Sequence, residues 1–280
     1  MKAKFKAETL GTLLTQLAVA IASIFYIAPL YMIINYAFKT KRELYIGNPL
    51  ALPESLSLEN FVKAFEKLKI GVTMSNTVLY TLSSVILLAL VCGPAAWAIS
   101  RAKGAFFKFS YLYFIIGILI PAQALFLPIY VVGYRIGLVN TRIGIILMFV
   151  ATNISFGVFL LTSFMSTVPI ELEESARMDG CSVYGTYFRI VMPLLKPALA
   201  TLIIMQSFQI WNDYLMSSLY VSKNDLKPLT VAIQSLFSAQ SSDYSTAFAA
   251  IAVSALPIVA LFVALQKYFV KGMTVGAVKG

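Results

Sequence analysis

The sequence reads as an all-α integral membrane protein that crosses the bilayer six times. Of its 280 residues 59% are hydrophobic and only 12% charged, with a mean hydropathy of +0.83; soluble domains carry about 25% charge. The charges come in blocks, leaving uncharged runs at 9–38, 70–100, 109–134, 143–170, 197–212 and 244–266. A helical span needs roughly 20 largely apolar residues, so these runs supply six spans within one transmembrane domain covering 1–280.

Span one is read as 17–38, behind the basic start Lys2, Lys4 and Lys6. The polar segment 39–70 opens as loop, with Asn48, Pro49 and Pro53, and turns helical from Ser57. There Leu58, Phe61, Val62, Phe65 and Leu68 share one face, Ser57 offers an N-cap, and Glu59 pairs with Lys63 at i,i+4. Span two is 76–100, followed by a basic turn with Arg101, Lys103 and Lys108; span three is 109–132 and contains Pro121 and Pro128, which mark bends. Spans four, five and six are 143–164, 197–220 and 247–267, with polar stretches at 165–196 and 221–246. The first apolar run is too long for a cleavable signal peptide and lacks a small-residue cleavage site.

Several function classes fall away. The net charge of +10 comes from bases scattered through short loops, with no stripe for nucleic acid. With no His, His-dependent metal sites, triads and proton relays are excluded. Cys92 and Cys181 are the only thiols and form no disulfide framework. Lys/Arg counting gives 12 bases inside and 10 outside if the N-terminus is inside; six of the ten lie in 39–70 beside four Glu. Both termini inside is favoured, by a small margin. No internal repeat or low-complexity tract is evident.

The most informative stretch runs from Glu171 to Pro193. Residues 170–179 are good helix formers with acids in the first turn; Gly180 sits where a left-handed C-terminal cap is required; Ser182 can cap a second short helix, which Pro193 and Pro197 end before span five. A bare connection needs only a few residues, so a helix, a sharp turn and another helix read as a docking surface, or as an amphipathic interfacial segment without a partner. Glu171, Glu173, Glu174, Arg177 and Asp179, with Met178 and Tyr184 nearby, can pair with the basic residues of a partner groove.

Glu174-Ser175-Ala176, Gly180, Ile190 and Met192-Pro193 stand at the spacing of a known signature. The segment resembles the EAA loop of binding-protein-dependent ABC importer permeases, with Ser175 for the first Ala and Met192 for Leu. Similarity extends to Asn60-Phe61, Ala95-Ala96, Ile120-Pro121, Leu127-Pro128, Gly137 to Thr141, Trp211-Asn212-Asp213 and Lys271-Gly272-Met273 to Gly280. These look like the six-span permease subunit of maltose-type sugar importers. The resemblance implies a type I ABC importer permease architecture, with a cytoplasmic coupling helix between spans four and five and both termini inside. It further implies a prokaryotic cytoplasmic membrane location, a second permease subunit in a heterodimer, two ATPase subunits and an extracytoplasmic sugar-binding protein. The ATPase-coupling residues would be Glu171, Glu173, Glu174, Ser175, Ala176, Arg177, Asp179, Gly180, Ile190 and Pro193. ATP and Mg would sit on the partner ATPase and no cofactor on this chain, which has no Gly-x-x-x-x-Gly-Lys-[Ser/Thr] loop.

Span five carries Gln206, Gln209, Trp211, Asn212 and Asp213. An acid within a span costs roughly 2.5–3.5 kcal/mol on insertion scales, so it normally faces protein or water. At 1.5 Å per residue Asp213 lies ~22 Å from Ala198, toward the outer side. Two readings stand: the cluster lines a sugar pathway, with Trp211 as a stacking face, or Asn212 and Asp213 satisfy neighbours at the rim. Gln123 and Asn153 are weaker pathway candidates that serve equally as interhelical hydrogen bonds. In the outer loop between spans five and six, Ser238, Gln240, Ser241 and Asp243 are small and polar enough to enter a partner's cleft, and the family resemblance implies contact with the binding protein. Two other functions compete with a permease. A secondary transporter usually needs several buried ionisable groups, and an intramembrane hydrolase needs a nucleophile with a base or a second acid; the spans supply only Asp213.

Overall fold

Hydrocarbon obliges a spanning segment to satisfy its own backbone, and a computed structural model of the chain, which describes residues 2–237 and 243–277, is helical throughout its long apolar stretches. The chain divides into two compact units, Met1–Ile70 with Ile233–Ala255, and Gly71–Ala232 with Leu256–Gly280.

In the first unit, α1 (Lys2–Phe38) runs through Pro29 as one helix. Its far end is pinned by buried polar side chains. Asn60 Nδ2 donates to the carbonyls of Ala37 and Lys39 at 2.9 and 2.8 Å. Lys39 Nζ donates to those of Asn48 and Pro49 at 2.9 and 3.2 Å. The terminal carbonyls of a helix have no partners within it, so Asn60 completes what α1 leaves open. A short helix not expected from the hydropathy, α2 (Lys41–Ile46), follows from a Thr-x-x-Glu capping box: the Thr40 hydroxyl accepts from Glu43 N, and the Glu43 carboxylate accepts from Thr40 N at 2.7 Å. Helix α3 (Glu59–Lys67) lies where the sequence places a surface helix, with the Glu59–Lys63 pair formed. Its N-cap is Leu58, one residue later than expected; the Ser57 hydroxyl instead accepts from Glu59 N at 3.2 Å.

In the second unit, α4 (Ile70–Arg101) begins earlier than expected and runs through Pro94. The third apolar segment holds two helices, α5 (Ala105–Leu119) and α6 (Phe126–Arg135), the latter preceded by the 3₁₀ turn Ala122–Leu125, and the chain bends by 99° between Ala105–Leu119 and Ala122–Arg135. Pro121 removes a donor and holds Ile120 extended at φ −77°, ψ 120°, so the helix stops there. The loop before α7 (Arg142–Met165) explains the Gly137–Thr141 motif. Gly137 and Asn140 adopt φ of +73° and +59°, the Asn140 carbonyl oxygen of its amide accepts from Ser222 N at 2.6 Å, and Thr141 caps α7 through Gly144 N.

After α7 come α8 (Glu171–Met178), α9 (Val183–Thr186), a π turn at Tyr187–Val191, α10 (Met192–Leu194) and α11 (Lys196–Trp211). The chain bends by 70° between Val183–Leu194 and Lys196–Trp211. Helix α11 stops at Trp211, well short of 220, because Asn212–Tyr214 leave the helix; α12 (Leu215–Tyr220) is separate. Then come α13 (Leu229–Gln234) and α14 (Tyr244–Ala277). Among the described residues, Thr12–Phe38, Ile70–Arg101, Arg142–Met165 and Tyr244–Gln266 are long and apolar enough to cross a membrane, and the count reaches six if each bent pair is one span. The core of the second unit joins Leu88, Cys92 and Ala96 of α4, Val158, Leu161 and Met165 of α7, and Val191, Leu195 and Leu202, all fully buried.

Candidate functional site

Two places in the second unit hold the side chains singled out in the sequence. The first is the α7–α11 connection. Cys181 N donates to the Ala176 carbonyl at 3.0 Å and Gly180 N to that of Arg177 at 3.0 Å, with Gly180 at φ +82°. These paired bonds and the left-handed residue form a Schellman stop, which reverses the chain after two turns of α8. Ser182 Oγ then accepts from Gly185 N at 3.1 Å and starts α9, as its position suggests. Pro193 and Pro197 occupy the first turns of α10 and α11, where their missing N–H groups cost nothing.

Helix α8 is two-sided. Glu173 and Ala176, three residues apart, are buried, while Glu171, Glu174, Ser175, Arg177 and Asp179 are exposed and Met178 and Tyr184 project at 89% and 80% exposure. Ile190 is half-buried and Pro193 exposed. The buried acid corrects the expectation that all the acids of this helix face a partner. Glu173 Oε1 accepts from Arg101 Nε at 2.8 Å and Oε2 from Trp97 Nε1 at 2.8 Å; a second Arg101 nitrogen donates to the Val168 carbonyl at 2.7 Å. At 2% exposure Glu173 meets a cation and a donor of its own chain, the condition under which burying a charge is tolerated.

The second place is a cleft of about 320 Å³ at the end of α11. Gln123, Asn153, Gln209, Asn212 and Asp213 all line it, drawn from the α5–α6 break, the middle of α7 and the end of α11. Thr152 and Tyr214 add a hydroxyl and a phenol, and Phe126, Phe149 and Met216 add apolar walls; no Lys or Arg takes part. Asn153 Nδ2 turns back to the Phe149 carbonyl of its own helix at 2.8 Å, and Asn212 Nδ2 to that of Phe208 at 2.9 Å. Asp213 serves the local backbone: Oδ1 accepts from both Ser217 N and Ser217 Oγ at 2.8 Å, which starts α12. Thr230 Oγ1 donates to the Asp213 carbonyl at 2.6 Å.

Two residues grouped with these lie elsewhere. Trp211 and Gln206 are buried, at 7% and 1% exposure, and neither lines the cleft; the aromatic side chains there are Phe126, Phe149 and Tyr214. Trp211 stands two residues before Asp213, a separation that sets side chains on opposite sides of a helix, and it packs inward. In the first unit Asp243 is buried against Lys67 Nζ at 2.6 Å and Lys41 Nζ at 3.6 Å, so this acid is turned inward instead of toward a partner. Ser238, Gln240 and Ser241 lie outside the described residues. Sequence reasoning missed Trp97 and Arg101, whose only signals were an aromatic and a base at the end of a span, and Tyr214, which the Trp-Asn-Asp-Tyr run contains in plain sight.

Residues 85–275 match the family described as binding-protein-dependent transport system inner membrane component. Over 267 residues the chain is 34% identical to the probable starch degradation products transport system permease protein AmyC of Thermoanaerobacterium thermosulfurigenes, covering 95% of this chain and 96% of that one. It is 33% identical over 275 residues to the melibiose/raffinose/stachyose import permease protein MelC of Bacillus subtilis, with 98% and 99% covered. Its fold is shared with a chain of a bacterial ABC transporter involved in the import of the acidic polysaccharide alginate, at a TM-score of 0.82 and 21% identity over 94% of this chain and 98% of that one. A second such structure, in complex with an alginate pentasaccharide-bound periplasmic protein, superposes at a TM-score of 0.67 and 16% identity over 90% of this chain and 92% of that one.

Proposed function

Because the chain belongs to the binding-protein-dependent transport inner membrane components, in the branch of sugar importer permeases, we propose that it moves a sugar or oligosaccharide inward at the expense of ATP hydrolysed by a separate ATPase that docks on α8 and α9. The observation that carries this reading is the two-sidedness of α8. Its inner face is bound to the chain's own core, and its outer face offers Glu174, Arg177 and Asp179 around the protruding Met178 and Tyr184. Apolar side chains ringed by charge suit a groove with basic walls. In this reading the loop faces the cytoplasm, both termini are inside, and ATP and Mg belong to two ATPase subunits. A second permease completes the pathway, and an extracytoplasmic binding protein delivers the sugar to the prokaryotic inner membrane.

The cleft is the chain's share of that pathway. Amides, a hydroxyl and a phenol match the donors and acceptors of a saccharide, and Tyr214 supplies a flat apolar face. With a carboxylate and no cation in the lining, an uncharged saccharide fits better than a uronate, whose carboxylates would go unpaired beside Asp213. Uptake by a deletion strain across a panel of neutral and acidic oligosaccharides tests the substrate.

Docking is tested by pull-down and uptake with membranes holding equal amounts of each variant. Gly180→Val forces a β-branched residue into a left-handed conformation at a cost of about 1–3 kcal/mol and misdirects the α8–α9 turn. Glu174→Lys sets like charges together. Both variants are expected to insert normally and to lose the ATPase or its transport-linked hydrolysis; retention of both activities by both variants would sink the reading.

A further inference from the structure

Three segments that follow one another in the chain grip one stripe of α4. Gly93, Trp97 and Arg101 are four residues apart and so share a face of that helix. Tyr187, in the π turn, lays its ring against Trp97 with centroids 5.4 Å apart, and its hydroxyl occupies the space that a Cβ at Gly93 would need. Glu173, on α8, holds Trp97 and Arg101, and Arg101 also holds the Val168 carbonyl in the turn between α7 and α8.

Helix α8 reaches α11 along the covalent chain, through the π turn and the bend at Leu195. It has no such route to α4, since Glu173 and Arg101 are 72 residues apart. The link to α4 consists of side chains. Charge-assisted bonds are short and geometrically specific, and burial strengthens them. Two of them, made to residues one turn apart, oppose rotation as well as sliding.

Building on the docking role argued for α8, we propose that Glu173 is a positioning residue for coupled transport: by holding Trp97 and Arg101 together it makes α4 move with α8, so that a displacement imposed on the exposed face of α8 reaches two membrane helices at once. Without this hold the same displacement would be spent in the hinge at Leu195, and ATP would be hydrolysed without alternating the pathway.

The test uses the assembled complex, with its ATPase, in proteoliposomes. Spin labels at Leu172→Cys, exposed on α8 outside the docking residues, and Lys103→Cys, in a background where Cys92 and Cys181 are Ser, report the separation of α8 from the end of α4 before and after trapping with ATP and vanadate. The native pair should hold that separation constant. In Trp97→Phe, which keeps an aromatic ring against Tyr187 but removes the N–H donor, and in the double variant Glu173→Leu/Arg101→Met, which leaves no unpaired charge, the separation should change on trapping. Sugar imported per ATP should fall about fivefold or more while the amount of bound ATPase stays at the wild-type level. If the double variant does not assemble, Trp97→Phe decides alone. A separation and a sugar-to-ATP ratio that stay native in the assembled variants would show the pair to be structural only and would overturn the proposal. That result is distinct from failure of the docking reading, which is decided by ATPase binding in Glu174→Lys.

Discussion

Lys67 Nζ donates to Asp243 Oδ2 at 2.6 Å, so an amine at the end of α3 holds an acid 176 residues later, just before α14. Burial pushes the Asp243 carboxyl up, but the hydrogen bonds from Lys67 and Thr246 and the charges of Lys67 and Lys41 outweigh it and hold the group below the usual carboxylate range. A depressed folded value means that the stabilisation is complete above the unfolded value of about 3.9 and is lost as pH falls through the folded one. Asp243→Asn should therefore lower stability at pH 7 by about 1 kcal/mol, both lysines being half-exposed. The gap from wild type should close below about pH 4. Thermal melts of the detergent-solubilised complex at the two pH values check this.

In the cleft, Tyr214→Ala and Gln209→Ala should raise the KM for sugar uptake several-fold with little change in assembly, because both side chains are exposed in the lining. Trp211→Ala should instead cost about 3–5 kcal/mol of stability, as for any large buried aromatic. Uptake kinetics and melting temperatures of the three variants separate the two outcomes.

Asp213→Ala removes the acceptor for Ser217 N and Oγ and should cost about 1 kcal/mol, the usual loss when a helix start loses its cap. Asp213→Asn keeps a carbonyl oxygen there and should retain most of the wild-type transport. If Asn proves as damaging as Ala in uptake assays, the charge itself acts on the passing sugar.

Gly93→Ala drives a methyl group into the Tyr187 hydroxyl and should cost about 1–3 kcal/mol by overpacking. Tyr187→Phe removes the obstructing oxygen. The double variant should recover most of the loss, and a thermal-denaturation mutant cycle with no such coupling energy would mean that the two residues do not touch.

Much of this arrangement was legible in the residues because local chemistry decided it. The left-handed stop at Gly180, the cap at Ser182 and the Glu59–Lys63 pair depend on neighbours within a few positions. The convergence of Gln123, Asn153, Gln209, Asn212 and Asp213 followed from a simple rule, that polar groups in hydrocarbon seek one another or water. What stayed hidden depended on distant partners or on where a helix breaks. Glu173 looks like its neighbours Glu171 and Glu174 until Arg101 and Trp97 are brought beside it. Trp211 and Tyr214 exchange roles because α11 ends between them, and no proline or glycine marks that end. The bend at Ile120, by contrast, was signalled by Pro121, although its sharpness was not.

The α5–α6 break at Pro121–Leu125 and the α11–α12 break at Asn212–Tyr214 open onto one cleft. Interrupted helices free backbone groups that hydrocarbon cannot satisfy, so such breaks are tolerated where protein or water takes up those groups; Thr230 Oγ1 takes the Asp213 carbonyl, and water in the cleft would reach others. Ion gradients would drain through any continuous file of water, however well the cleft suited its cargo. On the pathway reading proposed above, Phe126, Phe149 and Met216, which line the cleft, would have a second duty besides shaping the cavity, since an apolar constriction empties of water when nothing occupies it. Leakiness at rest, measured as passive proton or potassium flux, is the trait that selection would see first if those three side chains were exchanged for small polar ones.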